Sequence, residues 1–217
     1  MTSRERLMIA AGGGAVDCQP RLGWLTSGEQ TDGSIVDHID SMAKGGRESV
    51  VLVDVANPFG LALRRGIDIN KALKDDPSVG SVVLDSLVDE VRQRITVSLA
   101  NGADGIFYRL HGACPEHCSP MQYGGHYLER DRELLSEASD ARLNVLFVAG
   151  KEELYIDFVS DLPAQVFAWD REKTRLSAED IRACRIGAVA SSDPSSEIDL
   201  VIGFENYLDN LEQPNIG

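Results

Sequence analysis

The chain is poor in cysteine, in aromatic residues and in positive charge. Its four cysteines, Cys18, Cys114, Cys118 and Cys184, are too few and too unevenly spaced for the disulfide framework of a secreted protein. Reduced thiols are expected. Lys and Arg number 21 against 35 Asp and Glu, a net charge of −14. A surface of that sign repels phosphate backbones, and no run of Lys/Arg interleaves with aromatics, so nucleic acid is excluded as a partner class. No apolar run approaches the roughly 20 residues that cross a bilayer. The opening residues Met1–Ala11 lack the apolar stretch and small-residue cleavage site of a signal peptide. A cytoplasmic protein with no membrane partner is the expectation.

What is present is an alternation of short apolar runs and helix-period segments, the pattern of an α/β fold with parallel strands. The strand candidates are Pro20–Leu25, Val50–Ala56, Gly105–Leu110, Asn144–Ala149, Gln165–Trp169, Ile186–Ala190 and Leu200–Phe204. Ser81–Ala100 places Leu84, Leu87, Val88, Val91, Ile95 and Leu99 on one face and reads as the clearest helix. Gly125–Ala138, Lys151–Leu162 and a short helix from Ser177 to Cys184 follow, the last with Ser177 as N-cap and Asp180 in its first turn. Thr26–Ser49 reads as a long loop holding a short helix, Ile35–Ala43. The period does not separate an open doubly wound sheet from a closed barrel. The unit spacing of about 20 to 40 residues from residue 103 onward favours a compact or incomplete (β/α)8 TIM-type barrel. No linker interrupts it, so residues 1–217 are expected to form one domain. The eighth strand would come from Leu61–Leu73, from the N-terminal segment or from a neighbouring chain.

Gly12-Gly13-Gly14-Ala15 does not match G-x-G-x-x-G and reads as a plain turn. The densest chemistry is His111-Gly112-Ala113-Cys114-Pro115-Glu116-His117-Cys118, directly after a strand. In α/β sheets of this type the ligand site lies at the carboxyl ends of the strands. Thiolate and imidazole together make a zinc ligand set, with Cys114, His117 and Cys118 as candidates. General acid–base or thiol chemistry and simple loop packing are the other two readings of the same segment. Tyr108 and Arg109, Trp169 and Asp170, and Asp193 all fall at strand ends and would rim one mouth of a barrel.

The order of several segments resembles the uroporphyrinogen decarboxylase family. They are Gly102–Phe107, Cys118-Ser119-Pro120, Asn144–Gly150, Val166–Asp170 and Ser192-Asp193-Pro194. Ser3–Arg6 with Asp17 and Pro20 resembles that family's opening, and Asn57–Leu61 its strand-to-helix turn. The resemblance implies a (β/α)8 barrel with its cleft at the C-terminal face, often dimeric. The family includes the cofactor-free decarboxylase of porphyrin synthesis and zinc-dependent methyltransferases acting on corrinoid- or thiol-bound methyl groups.

Several positions depart from the family. Its substrate-holding arginines would fall in Leu25–Gln30, where neither cation is present, and Asp32, Asp37 and Asp40 are the only stand-ins for its pyrrole-binding Asp. Arg64 takes the place of a tyrosine, and Glu205 that of a histidine. The methyltransferases' zinc-binding His-x-Cys is replaced by Phe147-Val148-Ala149. The resemblance nominally implies a cofactor-independent decarboxylase of an acetate-bearing substrate. Arg109 would hold a carboxylate, His111 would shuttle a proton, and Asp170 would balance charge or bind an N–H donor. Tyr108, Trp169, Asp193 and Arg64 would contact substrate. Two alternatives stand beside it: a methyl-transfer enzyme using the Cys114/Cys118 loop and zinc, and a non-catalytic member binding a small molecule or a partner subunit.

Overall fold

The computed structural model describes residues 1–22, 50–192, 195 and 197–202. Its strands are β1 (Arg21–Leu22), β2 (Leu52–Ala56), β3 (Gly105–Leu110), β4 (Val145–Val148), β5 (Val166–Trp169), β6 (Ala188–Ser191) and β7 (Leu200–Ile202). They form one parallel sheet in the order β1-β7-β6-β5-β4-β3-β2. A doubly wound sheet reverses direction at a switch point. Here β2 to β7 are neighbours in strict chain order and β1 lies beside β7, which is the order of a TIM-type barrel one strand short. Closure by eight strands is not present among the described residues. No described helix is long and apolar enough to cross a membrane.

Eight helices accompany the described strands: α1 (Ser3–Ala11), α2 (Pro58–Arg64), α3 (Ile69–Asp75), α4 (Pro77–Ala100), α5 (Pro120–His126), α6 (Leu128–Glu137), α7 (Ile156–Val159) and α8 (Ala178–Cys184). Their ends follow local chemistry. Asp76 accepts from the Ser78 and Val79 amides ahead of α4, with Pro77 at the first position, so that helix begins four residues before the predicted Ser81. Thr2 with Glu5, Ser119 with Gln122, and Ser177 with Asp180 form reciprocal capping boxes.

Period-2 alternation along the strands divides the core in two. Val53, Val55, Ile106, Tyr108, Leu110, Leu146, Val148, Phe167, Trp169 and Val189 point to the helix layer. Leu84, Leu87, Val88, Val91 and Ile95 of α4 pack onto them. Phe107, Val145, Phe147, Val166, Ala168, Ala188, Ala190, Leu200 and Ile202 point to the other side, where α1 contributes Leu7, Ala10 and Ala11. Arg4 of α1 forms a two-pronged ion pair with Asp104, just before β3, and so ties α1 to the amino ends of the strands. Gly105 is needed where β3 begins, because a Cβ there would lie 1.8 Å from the Leu143 carbonyl oxygen.

Three sequence expectations are corrected. Leu61–Leu73 is not a strand: it holds the end of α2, a turn and the start of α3. Gly125–Ala138 is two helices that meet at Tyr127. The helix predicted over Lys151–Leu162 shrinks to one turn, α7. The reason is that Glu152 takes a left-handed conformation, φ 58°, and bonds to the segment after β5, its amide donating to the Lys173 carbonyl. The strand predicted at Pro20–Leu25 is β1 as far as Leu22, and its remainder, like the helix Ile35–Ala43, lies outside the described residues.

Candidate functional site at the carboxyl ends of β2 and β3

The site begins with a charge inside an apolar strand. Asp54 interrupts the run Val50–Ala56 and alternates to the side of the sheet that Phe107 faces, away from Val53 and Val55, where side chains 4% and 0% exposed form an ion pair between it and Arg109. Arg109 donates Nε to one carboxylate oxygen at 2.5 Å and Nη2 to the other at 2.6 Å. The strand register sets Asp54 beside Phe107 and Arg109 beside Ala56, so the guanidinium reaches back from the mouth toward the middle of the sheet. Arg64, in the last turn of α2, approaches the same carboxylate at 3.9 Å and is 29% exposed.

His111 follows β3 and sits half-buried above this group. Its placement depends on Asn57, the N-cap of α2. The Asn57 Oδ1 accepts from the amides of Gly60 and His111, and its Nδ2 donates to the His111 carbonyl. The side chain of Asn57 therefore grips His111 by both backbone polar groups. Gly60 supplies the space, since a Cβ there would come within 2.7 Å of the imidazole Cδ2. His117 lies with its ring 6.5 Å from that of His111 and 5.5 Å from Phe59. Burial, reinforced by Arg109, His117 and Arg64, pushes the His111 imidazole down to about 3, so it is neutral at pH 7. Burial also lowers His117. A proton shuttle at neutral pH needs a pKa near 7. His111 instead presents a neutral hydrogen-bonding ring beside two cations.

The other expected site residues lie elsewhere. Tyr108 and Trp169 alternate to the helix-facing side and are fully buried. The Tyr108 hydroxyl donates to Asp131 at 2.7 Å, and the Trp169 indole donates to the Leu176 carbonyl. Asp170 is at the end of β5, buried, with one oxygen accepting from the Glu172 and Lys173 amides as a turn cap. Asp193 lies outside the described residues.

Cys114 and Cys118 are buried in the helix-facing core. Burial, with Glu116 adding, pushes the Cys114 thiol up to about 11, and burial raises Cys118 too, whose sulfur meets the side-chain amide of Asn70. The loop is pinned by three hydrogen bonds from two residues. Asn70 donates to the His117 carbonyl, the Tyr155 hydroxyl to the Cys118 carbonyl, and the Tyr155 amide to the Ala113 carbonyl. Among the described residues, no three His, Cys, Asp or Glu side chains converge so as to hold a metal ion. Nor do the residues present fit the zinc that the family resemblance implies. Phe147 fills the core where its imidazole ligand would stand, Ala149 has no donor atom, and the two nearby thiols face the opposite side of the sheet.

Asp54, Asn57, Asn70 and Asp131 are the polar residues that sequence reasoning missed. Asp131 is buried in α6 and accepts from Tyr108, from the Tyr123 hydroxyl at 3.1 Å and from Asn57 Nδ2 at 3.2 Å. Two signals were available. Asp54 stands in the middle of an otherwise apolar strand, and Asp131 shares the buried face of α6 with Leu134 and Leu135 at i+3 and i+4.

No family model matches the chain, and no curated protein matches it. Among solved structures it is similar to a methyltransferase from Methanosarcina mazei, with a TM-score of 0.64, 14% identity and alignment over 78% of this chain. The chain spans 57% of that structure's length. At this identity the likeness is one of fold, an α/β sheet of TIM-barrel type.

Proposed function

We propose that this chain is a relative of barrel methyltransferases that binds a small molecule bearing a carboxylate or phosphate at the carboxyl ends of β2 and β3. The observation that carries the reading is the half-buried ring of His111, held in place by Asn57, neutral at pH 7, and within the influence of Arg109, Arg64 and His117. Arg64 reaches solvent at the mouth, and the five donors of a guanidinium allow it to serve Asp54 and a ligand together. Arg109 adds positive potential from below while fixed to Asp54. The methyltransferase fold neighbour supports this reading over decarboxylation of a porphyrin precursor. A substrate with many carboxylates needs many fixed cations, and both arginines of the described site already share one carboxylate.

Isothermal titration of the purified chain with inorganic phosphate, acetate and succinate tests the binding reading, with Arg64→Met as the comparison. Saturable heat that disappears in the variant is the expected result. Absence of saturable binding by any of the three would overturn it. Methyl transfer is checked separately by following the visible spectrum of methylcobalamin in the presence of homocysteine and the protein.

A further inference from the structure

Strand register extends the mouth beyond β2 and β3. Arg109, Phe147, Ala168 and Ala190 are successive partners across β3 to β6. The face they share is the one opposite the helix layer, since Phe147, Ala168 and Ala190 belong to that half of the core. Two residues further along each strand stand His111, Ala149, Asp170 and Ser192, which period-2 alternation returns to the same face at its carboxyl rim. Between β3 and β4 the register holds to this height, because the Ala149 amide donates to the Leu110 carbonyl. Ala149 and Ser192 are half-buried, so water reaches the row, and the small side chain of Ala149 leaves room between His111 and Asp170.

Asp170 is the negative member of the row, and it is 5% exposed. Its Oδ1 accepts from the Glu172 and Lys173 amides, which fixes the carboxylate, whereas its Oδ2 accepts from no described residue. Oδ2 is not sealed in the core and so meets solvent at the rim. Among the described residues no Lys or Arg forms an ion pair with Asp170: Arg171 turns to Ser195 and Glu197, and Arg175 to Glu152. A carboxylate that is nearly enclosed, held rigid and bonded through one oxygen carries a desolvation cost that a cationic partner would offset. The field therefore changes sign along the rim, from Arg64 and Arg109 over a single Asp54 at one end to Asp170 at the other.

We propose that the molecule bound here is a zwitterion, a β- or γ-amino acid with its carboxylate at Arg64 and His111 and its ammonium on Asp170 Oδ2, an assignment that rests on the anion-binding reading of the mouth. The sheet sets the size. β3 and β5 are two strand spacings apart, about 10 Å, and side chains stand roughly perpendicular to a sheet. A hydrogen bond of about 2.8 Å at each end leaves roughly 4 Å between the anion and the amine. That span suits a chain one or two methylenes longer than an α-amino acid.

Isothermal titration of the whole chain with γ-aminobutyrate against butyrate, and with β-alanine against propionate, tests it, since the members of each pair differ by the amine alone. The native chain is expected to bind at least one of the amino acids about tenfold more tightly than its deaminated counterpart, the effect of one charge-assisted hydrogen bond. In Asp170→Asn, which keeps an oxygen for the two turn amides, that ratio is expected to fall to about one. Equal affinities within both pairs overturn the zwitterion and leave the anion site standing, as does a preference that survives in Asp170→Asn. Absence of saturable heat from all four compounds overturns both readings. The comparison within the native chain needs no variant, so it decides the question even where Asp170→Asn fails to fold.

Discussion

Arg109 closes on Asp54 with Nε and Nη2 on the two carboxylate oxygens, although strand register places each of them opposite another residue. The pair lies inside the sheet, so its worth depends on which partner is removed. Asp54→Ala strands a guanidinium away from water and is expected to cost about 3–5 kcal/mol in urea unfolding. Replacing both at once, Asp54→Leu with Arg109→Met, removes the charge problem together with the pair. The double variant is expected to be more stable than Asp54→Ala. A double variant less stable than either single one would show that the pair stabilises the fold beyond satisfying its own charges.

Asp131 and His111 oppose one another in their effect on stability against pH. The folded-state carboxyl of Asp131 lies above its ordinary value, so its contribution is complete below about pH 4 and is lost as pH rises through about 7. The folded-state imidazole of His111 is depressed to about 3, so its contribution is complete above about pH 6.5 and is lost as pH falls through about 3. Between about pH 4 and 6.5 the two slopes cancel. Urea unfolding of the native chain is expected to be nearly flat there as far as these groups decide it. Asp131→Asn should lose stability as pH falls, and His111→Gln should gain it. Parallel curves for all three proteins would show that neither group is shifted as described.

The four cysteines divide two and two. Cys18 and Cys184 are exposed, whereas Cys114 and Cys118 are buried, with their thiols raised above the ordinary range. Thiolate fraction and access together set reaction rate. An aromatic disulfide reagent at pH 8 is expected to consume two thiols quickly and the other two only after denaturant is added. Rapid modification of Cys114 or Cys118 in the folded chain, located by peptide mass spectrometry, would contradict the burial that removes them from the metal reading.

The strands were legible because a parallel sheet covered on both faces demands continuous apolar runs, and those at β2 through β7 stand out from acidic surroundings. The barrel-type order was not written in any one run, since it arises from which strands pair. The site was legible in place and less so in detail. The segment after β3 was singled out by composition, yet strand alternation sends Tyr108 into the helix layer and Arg109 to the opposite face, onto Asp54. Either face was open to each residue until the register was known. Cys114 and Cys118 illustrate the same limit. A count of ligand-type residues says nothing about side-chain direction, and here Asn70, Tyr155 and the core fix it away from the mouth. Helix α7 was overestimated because a local apolar period yields to tertiary bonding between Glu152 and the segment after β5.

Gly60 couples the site's geometry to a single missing atom. A methyl group there would lie 2.7 Å from the His111 ring and 3.0 Å from the Asn57 Oδ1 that caps α2. The ring can turn away more easily than the cap can move, since Asn57 is buried and bonded to four groups. Gly60→Ala is therefore expected to displace His111 with only a modest stability loss, about 1–3 kcal/mol, as overpacking commonly costs. The His111 ring resonances should shift in the NMR spectrum while those of α4 stay in place. Heat of phosphate binding should fall at least tenfold in affinity if the mouth binds anions through this ring. Unchanged His111 resonances in folded Gly60→Ala protein would mean that the imidazole is not where Asn57 and Gly60 put it, and the ligand site built around it would have to be abandoned.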